Sequence, residues 1–364
     1  MKKHLLSALC LATLLFPSLP AMAEDNQVSG IYVGGHIRRE RPGTIAKLRE
    51  SGFTYVILFN VHVNSDGTLM TDGETICKDG KYVFDQTQPH YVEDIRLLKT
   101  QPTSISRIEI CIGGWGNDSY NNIQSLINKS GTGRTTMLYR NFKALMEAVP
   151  GIDAVNNDDE QCYDVATATK FHVMMYDLGY KTTLAPYTRQ SFWTSLATNV
   201  NKERPGAVDR VMVQCYDGGA YNNPLSWNFP GITRHAGRTN YQDNSDFTKY
   251  TSKLEEWKQS GAATGAFLWV YNDETWNLNK YAAAMNRIYV ARPVSEEEGV
   301  VKVYTAQKYG GDCFALPLGS HSMSDLAVYG IPDKAIASVE VTEGYRVKMY
   351  KSKDCSGSFF RTDK

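Results

Sequence analysis

The chain lacks an excess of charge of either sign, any tandem repeat and any second long apolar run. Lys plus Arg total 39 and Asp plus Glu total 39, so nothing in the balance steers the protein toward nucleic acid or an anionic membrane. Cysteine is sparse, at seven residues, and the seven histidines show no metal-ligand spacing; neither a zinc site nor a disulfide framework is expected. The one apolar run, Leu5 to Phe16, is too short to anchor in a bilayer and is broken by Pro17 and Pro20. With Lys2-Lys3 ahead of it and Ala21-Met22-Ala23 behind it, the run reads as a secretory signal, residues 1–23, cleaved before Glu24. Cys10 lies inside it without a lipoprotein box. A soluble, exported protein, secreted or periplasmic, follows as the expectation, in a compartment that permits disulfides. Cys313 and Cys355 could pair there, whereas Cys111 and Cys215 sit in apolar runs as small buried hydrophobes.

What the chain does have is an unusual acidic octet, Asp153-Ala154-Val155-Asn156-Asn157-Asp158-Asp159-Glu160. On a strand, side chains alternate between faces, so Asn156, Asp158 and Glu160 would form one row. Two carboxylates that close cannot both ionise cheaply, and the usual result is that one holds a proton, as a general acid must. The same octet also reads as a solvated acidic turn. Its flanks favour the strand. Tyr139 to Val149 has helical spacing of Phe142, Leu145, Met146 and Val149, Pro150-Gly151 breaks it, and Ala166 to Leu178 is helical again.

Short apolar runs recur between such helices at Gly30–Val33, Thr54–Phe59, Arg107–Ile112, Ile152–Glu160, Thr182–Pro186, Arg210–Tyr216 and Gly265–Tyr271. A weaker one at Ile232–His235 makes eight. Thr44–Ser51 and Phe247–Gln259 are further helices of the pattern. The alternation predicts a (β/α)₈ TIM barrel over residues 24–290, with its chemistry at the C-terminal ends of the strands. Arg38-Arg39-Glu40-Arg41 then reads as a solvated loop after the first strand. Trp193, Trp227, Trp257 and Trp276 read as helix-packing residues, and Gly113-Gly114 as a close backbone approach.

These residues resemble glycoside hydrolase family 18, the chitinases and endo-β-N-acetylglucosaminidases. The family's fourth-strand D-x-x-D-x-D-x-E is matched by Asp153, Asn156, Asp158 and Glu160, and the Asp-Asp-Glu ending is closer to the endoglycosidase branch. Cys111-Ile112-Gly113-Gly114-Trp115 resembles the third-strand S-x-G-G signature. Gln214-Cys215-Tyr216-Asp217 resembles the sixth-strand motif, and Trp269 the eighth-strand tryptophan. Together they span about Val28 to Ile288.

The resemblance implies a substrate-assisted retaining reaction, in which the substrate's own 2-acetamido oxygen attacks the anomeric carbon. Glu160 would be general acid and then base. Asp158 would orient the acetamido group, Tyr216 would donate to its carbonyl, and Asn156 would neighbour Asp158. Trp269 would floor the site, with Gln214, Asp217 and Trp115 as further substrate contacts. The implied partner is an N-acetylglucosamine-containing glycan, and no cofactor is required. Tyr216 and Trp269 read equally well as strand-end core residues. The chain departs from the pattern at Asn156, where the family has Asp, at Asn157, where an apolar residue is usual, and at Cys111, where Ser is usual. An amide cannot change charge, and this supports a second reading, a catalytically inactive glycan-binding protein.

Beyond a linker at 291–299, residues 300–364 change character. Tyr304 to Gly311 fits Y-x-x-x-x-Y-x-G and, with Phe314-Ala315-Leu316 and Ala335 to Val341, resembles a βγ-crystallin Greek key. Tyr350 to Gly357 opens a second key that is incomplete at Lys364. Lys334 and Ala337 replace oxygen ligands that calcium-binding relatives use.

Overall fold

The structure is a computed structural model and describes residues 28–241, 247–271, 278–290, 299–352 and 355–363. The expected signal segment, Cys10, Trp276 and nearly all of the expected linker lie outside the described residues.

Eight parallel strands close into a barrel: β1 (Ser29–Val33), β2 (Tyr55–Val63), β3 (Arg107–Gly113), β4 (Ala154–Asp158), β5 (Lys181–Leu184), β6 (Val208–Gln214), β7 (Thr233–Thr239) and β8 (Gly265–Tyr271). Closure comes from β1, which pairs with both β2 and β8. The weakest expected strand is real and longer than its apolar signal, because Thr233–Thr239 carries little hydrophobicity beyond Ala236. β4 is shorter than expected. It stops at Asp158, so Glu160 stands in the loop beyond it.

Helices Gly43–Glu50, Tyr91–Leu98, Ser119–Ser130, Met137–Ala148, Val165–Asp177, Gln190–Glu203, Phe247–Gln259 and Leu278–Met285 cover the outside. Their starts are set locally. Thr136 accepts from the Tyr139 N–H, and Asp164 from the Thr167 N–H at 2.8 Å, each satisfying an orphan donor of the first turn. The alternation is broken once: β6 and β7 are joined by 3₁₀ turns at Asp217–Gly219 and Pro224–Ser226 in place of an α-helix.

The barrel has two apolar layers. Between strands and helices runs the large core, which takes in Cys215, Trp193, Trp227 and Trp257. Inside the barrel a smaller cluster joins Tyr32, Tyr55, Ile57, Cys111, Met212, Tyr216 and Phe267. Trp193 and Trp257 are buried helix residues as expected, Trp227 is buried after the 3₁₀ turn Pro224–Ser226 and stacks on Phe229, and the two cysteines are buried as expected.

Arg38 departs from its expected place in a solvated loop. His36–Arg39 is a short helix, and Arg38 is buried between Asp72 at 2.5 Å and Glu74 at 2.6 Å. Those acids arrive on an antiparallel excursion from the end of β2, strands Leu69–Thr71, Glu74–Lys78 and Lys81–Tyr82, which the barrel pattern does not announce.

The C-terminal residues form a sheet in the order Gly310–Leu316, Val301–Ala306, Ser338–Val341, and a separate hairpin, Arg346–Tyr350 with Phe359–Asp363. They have their own small core of Val301, Val303, Leu316, Ile331 and Val341. Helix Met323–Val328 docks this part on the barrel: Asn286 donates to Gly52 O at 2.8 Å and Ala327 O at 2.7 Å. Gly52 has a positive φ of 89°, and a Cβ there would lie 2.1 Å from the Ala327 Cβ, so the junction requires glycine. Cys313 and Cys355, a possible pair by sequence, are not bonded to each other in this structure. Each is held by its own local strand or turn, and Cys355 donates to the His321 carbonyl at 3.5 Å.

Candidate active site

Residues Ala154–Asp158 of the octet form a strand with two differently employed faces. On the inward side Asn156 and Asp158 point into the barrel; on the outward side Asn157 is fully buried against the helices. That outward amide is satisfied. Its Nδ2 donates to His172 Nε2 at 2.8 Å, and its Oδ1 accepts the Asp159 N–H at 2.9 Å. Burial lowers the His172 pKa to about 3. The ring is therefore neutral, accepts at Nε2 and donates from Nδ1 to Thr182 Oγ1 at 3.0 Å. A polar residue facing the helices is thus compensated by an imidazole that the local sequence does not pair with it, and by a backbone N–H two residues on.

Asp153 belongs to the foot of the strand. It binds Lys99 at 2.8 Å and accepts the Ile108 N–H at 2.8 Å, far from the cleft lining. Asp159 is also structural. Its carboxylate accepts the N–H groups of Gln161, Cys162 and Tyr163 at 3.0, 2.8 and 2.8 Å and fixes the loop that carries Glu160.

Asp158 and Glu160 line a cleft of about 530 Å³ at the C-terminal mouth of the barrel, together with Phe59, Gly114, Trp115, Tyr187, Gln214, Tyr216, Asp217, Gly218 and Trp269. All the residues expected at the site are therefore brought together, except Asn156, which lies one layer below and accepts from the Tyr32 hydroxyl at 3.0 Å. Gln214 donates to Asp158 Oδ1 and to the Ala185 carbonyl, both at 2.8 Å. The Asp158 carbonyl accepts the Gly114 N–H at 2.7 Å. Gly113, with φ 108°, permits that approach, since a Cβ would sit 2.2 Å from the same oxygen. This is the close backbone contact that the glycine pair implied.

The electrostatics follow from burial. Desolvation, then the neighbouring Glu160, raise Asp158 well above the usual carboxylate range, against the lowering bond from Gln214. Glu160 is also raised, first by desolvation and then by Asp159 and Asp217, and is lowered by a bond from the Tyr187 hydroxyl. Both acids of one pair are pushed upward, so the pair retains a proton where isolated carboxyls would not.

Aromatic rings complete the walls. Tyr216 is buried and stacks on Trp269 with centroids 6.3 Å apart and planes within 10°. Phe59 and Tyr32 meet Trp269 edge-on at 4.8 and 5.2 Å. Tyr216 and Trp269 thus serve as both core and cleft wall. Trp115 is 91% exposed at the rim. Asp217, with a positive φ of 45°, accepts from the Tyr241 hydroxyl. Sequence reasoning missed Tyr187 and Phe59. Tyr187 directly follows the expected strand Thr182–Pro186, and that strand-end position was the available signal. Among the described residues no group of three or more His, Cys, Asp or Glu could hold a metal ion.

No family model matches this chain, and no curated protein matches it. Solved structures do. A family 18 chitinase from Pseudoalteromonas aurantia aligns with TM-score 0.50 and 15% identity, covering 71% of this chain and 99% of its own. The Bacillus cereus spore cortex-lytic enzyme SleL aligns with TM-score 0.51 and 12% identity, covering 73% and 75%. At such identity the likeness is one of fold. The chain is a (β/α)₈ barrel of the kind seen in the family 18 chitinase, with additional antiparallel sheets in its C-terminal region.

Proposed function

We propose that the protein is a glycoside hydrolase that cleaves β-linked N-acetylglucosamine by the substrate-assisted retaining route, with Glu160 as general acid and then base. One observation carries this reading: the proton-retaining pair of Asp158 and Glu160 lies at the end of β4 in a cleft walled by Tyr216 and Trp269. A proton held on Glu160 can pass to the glycosidic oxygen. Asp158, steadied by Gln214, is placed to orient an acetamido N–H and balance the positive charge of an oxazolinium intermediate. The Tyr216 hydroxyl is the donor for the acetamido carbonyl, and Trp269 is an apolar floor for the sugar ring. Two of the fold neighbours, a chitinase and a spore cortex-lytic enzyme, agree with this class of substrate. An N-glycan core is the more specific substrate suggested by the Asp-Asp-Glu ending. Export, through removal of residues 1–23, and a crystallin-like fold of residues 300–364 belong to the same proposal.

Neutral Asn156 favours one alternative, a glycan-binding protein without catalysis. Product release from a high-mannose glycoprotein and from chitooligosaccharides, measured for wild type and Glu160→Gln, decides between them. Cleavage lost in the variant establishes the hydrolase, and the cleaved substrate names its branch. Glycan binding by both proteins with cleavage by neither supports the alternative. Neither binding nor cleavage rejects both.

A further inference from the structure

Beneath the site, the barrel interior contains charges that the reaction above does not use. Glu109 on β3 is completely buried, in register with Ala154 of β4. Its two oxygens have different duties. Oε1 accepts from Arg107 Nε at 2.9 Å and from Thr183 Oγ1 at 2.7 Å. Oε2 faces Asn156, whose Nδ2 donates to it at 3.5 Å. A carboxylate can only accept, so it forces the amide's NH₂ end downward and leaves Oδ1 for the Tyr32 hydroxyl.

The surrounding charges balance without any charge at position 156. Arg107 pairs with Glu109 at 2.8 Å and with Asp209 at 2.6 Å, and Arg210 lies 3.8 Å from Asp209. The other groups facing this layer are neutral. Burial raises the hydroxyls of Tyr32 and Tyr55 and the thiol of Cys111, and burial with the two arginines lowers His235. Two cations thus meet two anions, and a third anion on residue 156 would sit unpaired between Glu109 and Asp158.

We propose that Glu109 is a positioning residue that, through Asn156, sets the proton occupancy of the Asp158–Glu160 pair. Beyond the desolvation and the neighbouring carboxyls that already raise the pair, Glu109 adds a negative charge from the third strand, one layer down, and Asn156, which it orients, is the neutral spacer between them. Glu109 is level with a point four residues of β4 below Asp158, and strands rise about 3.3 Å per residue, so the backbone levels are roughly 13 Å apart, less the upward reach of the Glu109 side chain to Asn156. Through a protein interior a charge interaction over such a distance corresponds to a shift of about one pH unit. Its sign is fixed: an anion below favours the protonated pair, so removing it must release the protons at lower pH.

This role depends on the hydrolase reading only for its consequence in catalysis. Side-chain ¹³C NMR titration of the carboxyls, assigned with Asp158→Asn and Glu160→Gln, measures the pair's proton without any substrate. Glu109→Gln should lower both midpoints of the pair by about one pH unit, and Asn156→Asp should raise them. Thr183→Val, which removes a structural bond to Glu109 and leaves its charge, should lower the melting temperature without moving the midpoints. Unmoved midpoints in a folded Glu109→Gln protein overturn the proposal. If that variant does not fold, an unmoved or lowered midpoint in Asn156→Asp overturns it. Shifted midpoints in a protein that hydrolyses neither glycan would uphold Glu109's role while rejecting the glycosidase reading.

Discussion

Gln214 on β6 reaches across the barrel mouth to donate to Asp158 at the end of β4, 2.8 Å away, and the same amide nitrogen is anchored on the Ala185 carbonyl. This bond opposes the burial and the Glu160 charge that raise Asp158, so it lowers the pH at which the inner acid of the pair ionises.

Replacing Gln214 by Leu removes that opposition. Asp158 then keeps its proton to higher pH, and the acidic limb of a hydrolysis profile should move upward. The buried Ala185 carbonyl also loses its side-chain donor, at a cost of about 1–3 kcal/mol. A pH–rate profile with a denaturant titration checks both; an unmoved acidic limb contradicts the assigned role of the bond.

The raised acids make a second prediction, about stability. A carboxyl whose folded pKa exceeds its unfolded value binds protons more tightly when folded. Its contribution to stability is fully present below the unfolded pKa, near 4, and is lost as pH rises through the folded pKa. Asp158→Asn and Glu160→Gln remove the ionisation, so each should melt higher than wild type at pH 7, with a gain on the order of 1 kcal/mol for buried Asp158 and a smaller one for half-buried Glu160, whose charge water screens. The gain should vanish near pH 4. Scanning calorimetry at the two pH values would reveal the opposite sign if the site were built to hold both charges.

Gly113→Ala tests the backbone approach. The added methyl meets the Asp158 carbonyl at 2.2 Å and the residue is held at φ 108°, so a loss of about 2–4 kcal/mol is expected. Activity should fall with it, because the obstructed strand end carries Asp158. Unfolding in urea, compared with Gly116→Ala as a control where a Cβ meets nothing within 4 Å, isolates the effect of crowding.

At the rim, Trp115 is held by little around it, being 91% exposed. Trp115→Ala should leave the melting temperature and kcat unchanged and raise KM on long oligosaccharides by roughly tenfold, the worth of one lost stacking contact. Steady-state kinetics on short and long substrates would show no such difference if Trp115 lies off the path of the glycan.

Arg38→Met should release the excursion from the barrel. It removes the cation that Asp72 and Glu74 share, but these acids are 44% and 29% exposed and Asp72 keeps Arg39 at 3.4 Å, so water screens the loss and the cost is about 1 kcal/mol. Limited proteolysis should then cut within residues 64–82 before the rest of the barrel; uniform resistance would mean the excursion is held by its own hydrogen bonds.

Much of the barrel was legible because strand and helix periods are local properties. Apolar runs alternating with helical stretches located all eight strands, and the octet's spacing put Asp158 on the inward face, whereas Glu160, expected on the same strand, reaches the cleft from the loop beyond it. The same local grammar identified the glycine pair, since only a backbone needing positive φ or close approach favours it.

Other features depended on residues far apart in sequence. Arg38 read as solvated because Asp72 and Glu74 enter only when the β2 excursion folds back. Tyr187, Gln214's bond to Asp158 and the burial that raises the acid pair all required the strand ends to converge at one mouth. Glu109 shares its strand with Arg107, but its other partners, Thr183 and Asn156, come from two other strands of the closed barrel. The sequence alone determined which side chains repeat along each element, because that is set by bond geometry within the element. Tertiary structure alone decided which charges meet, because an ion's partner and its loss of water depend on what the closed barrel places around it.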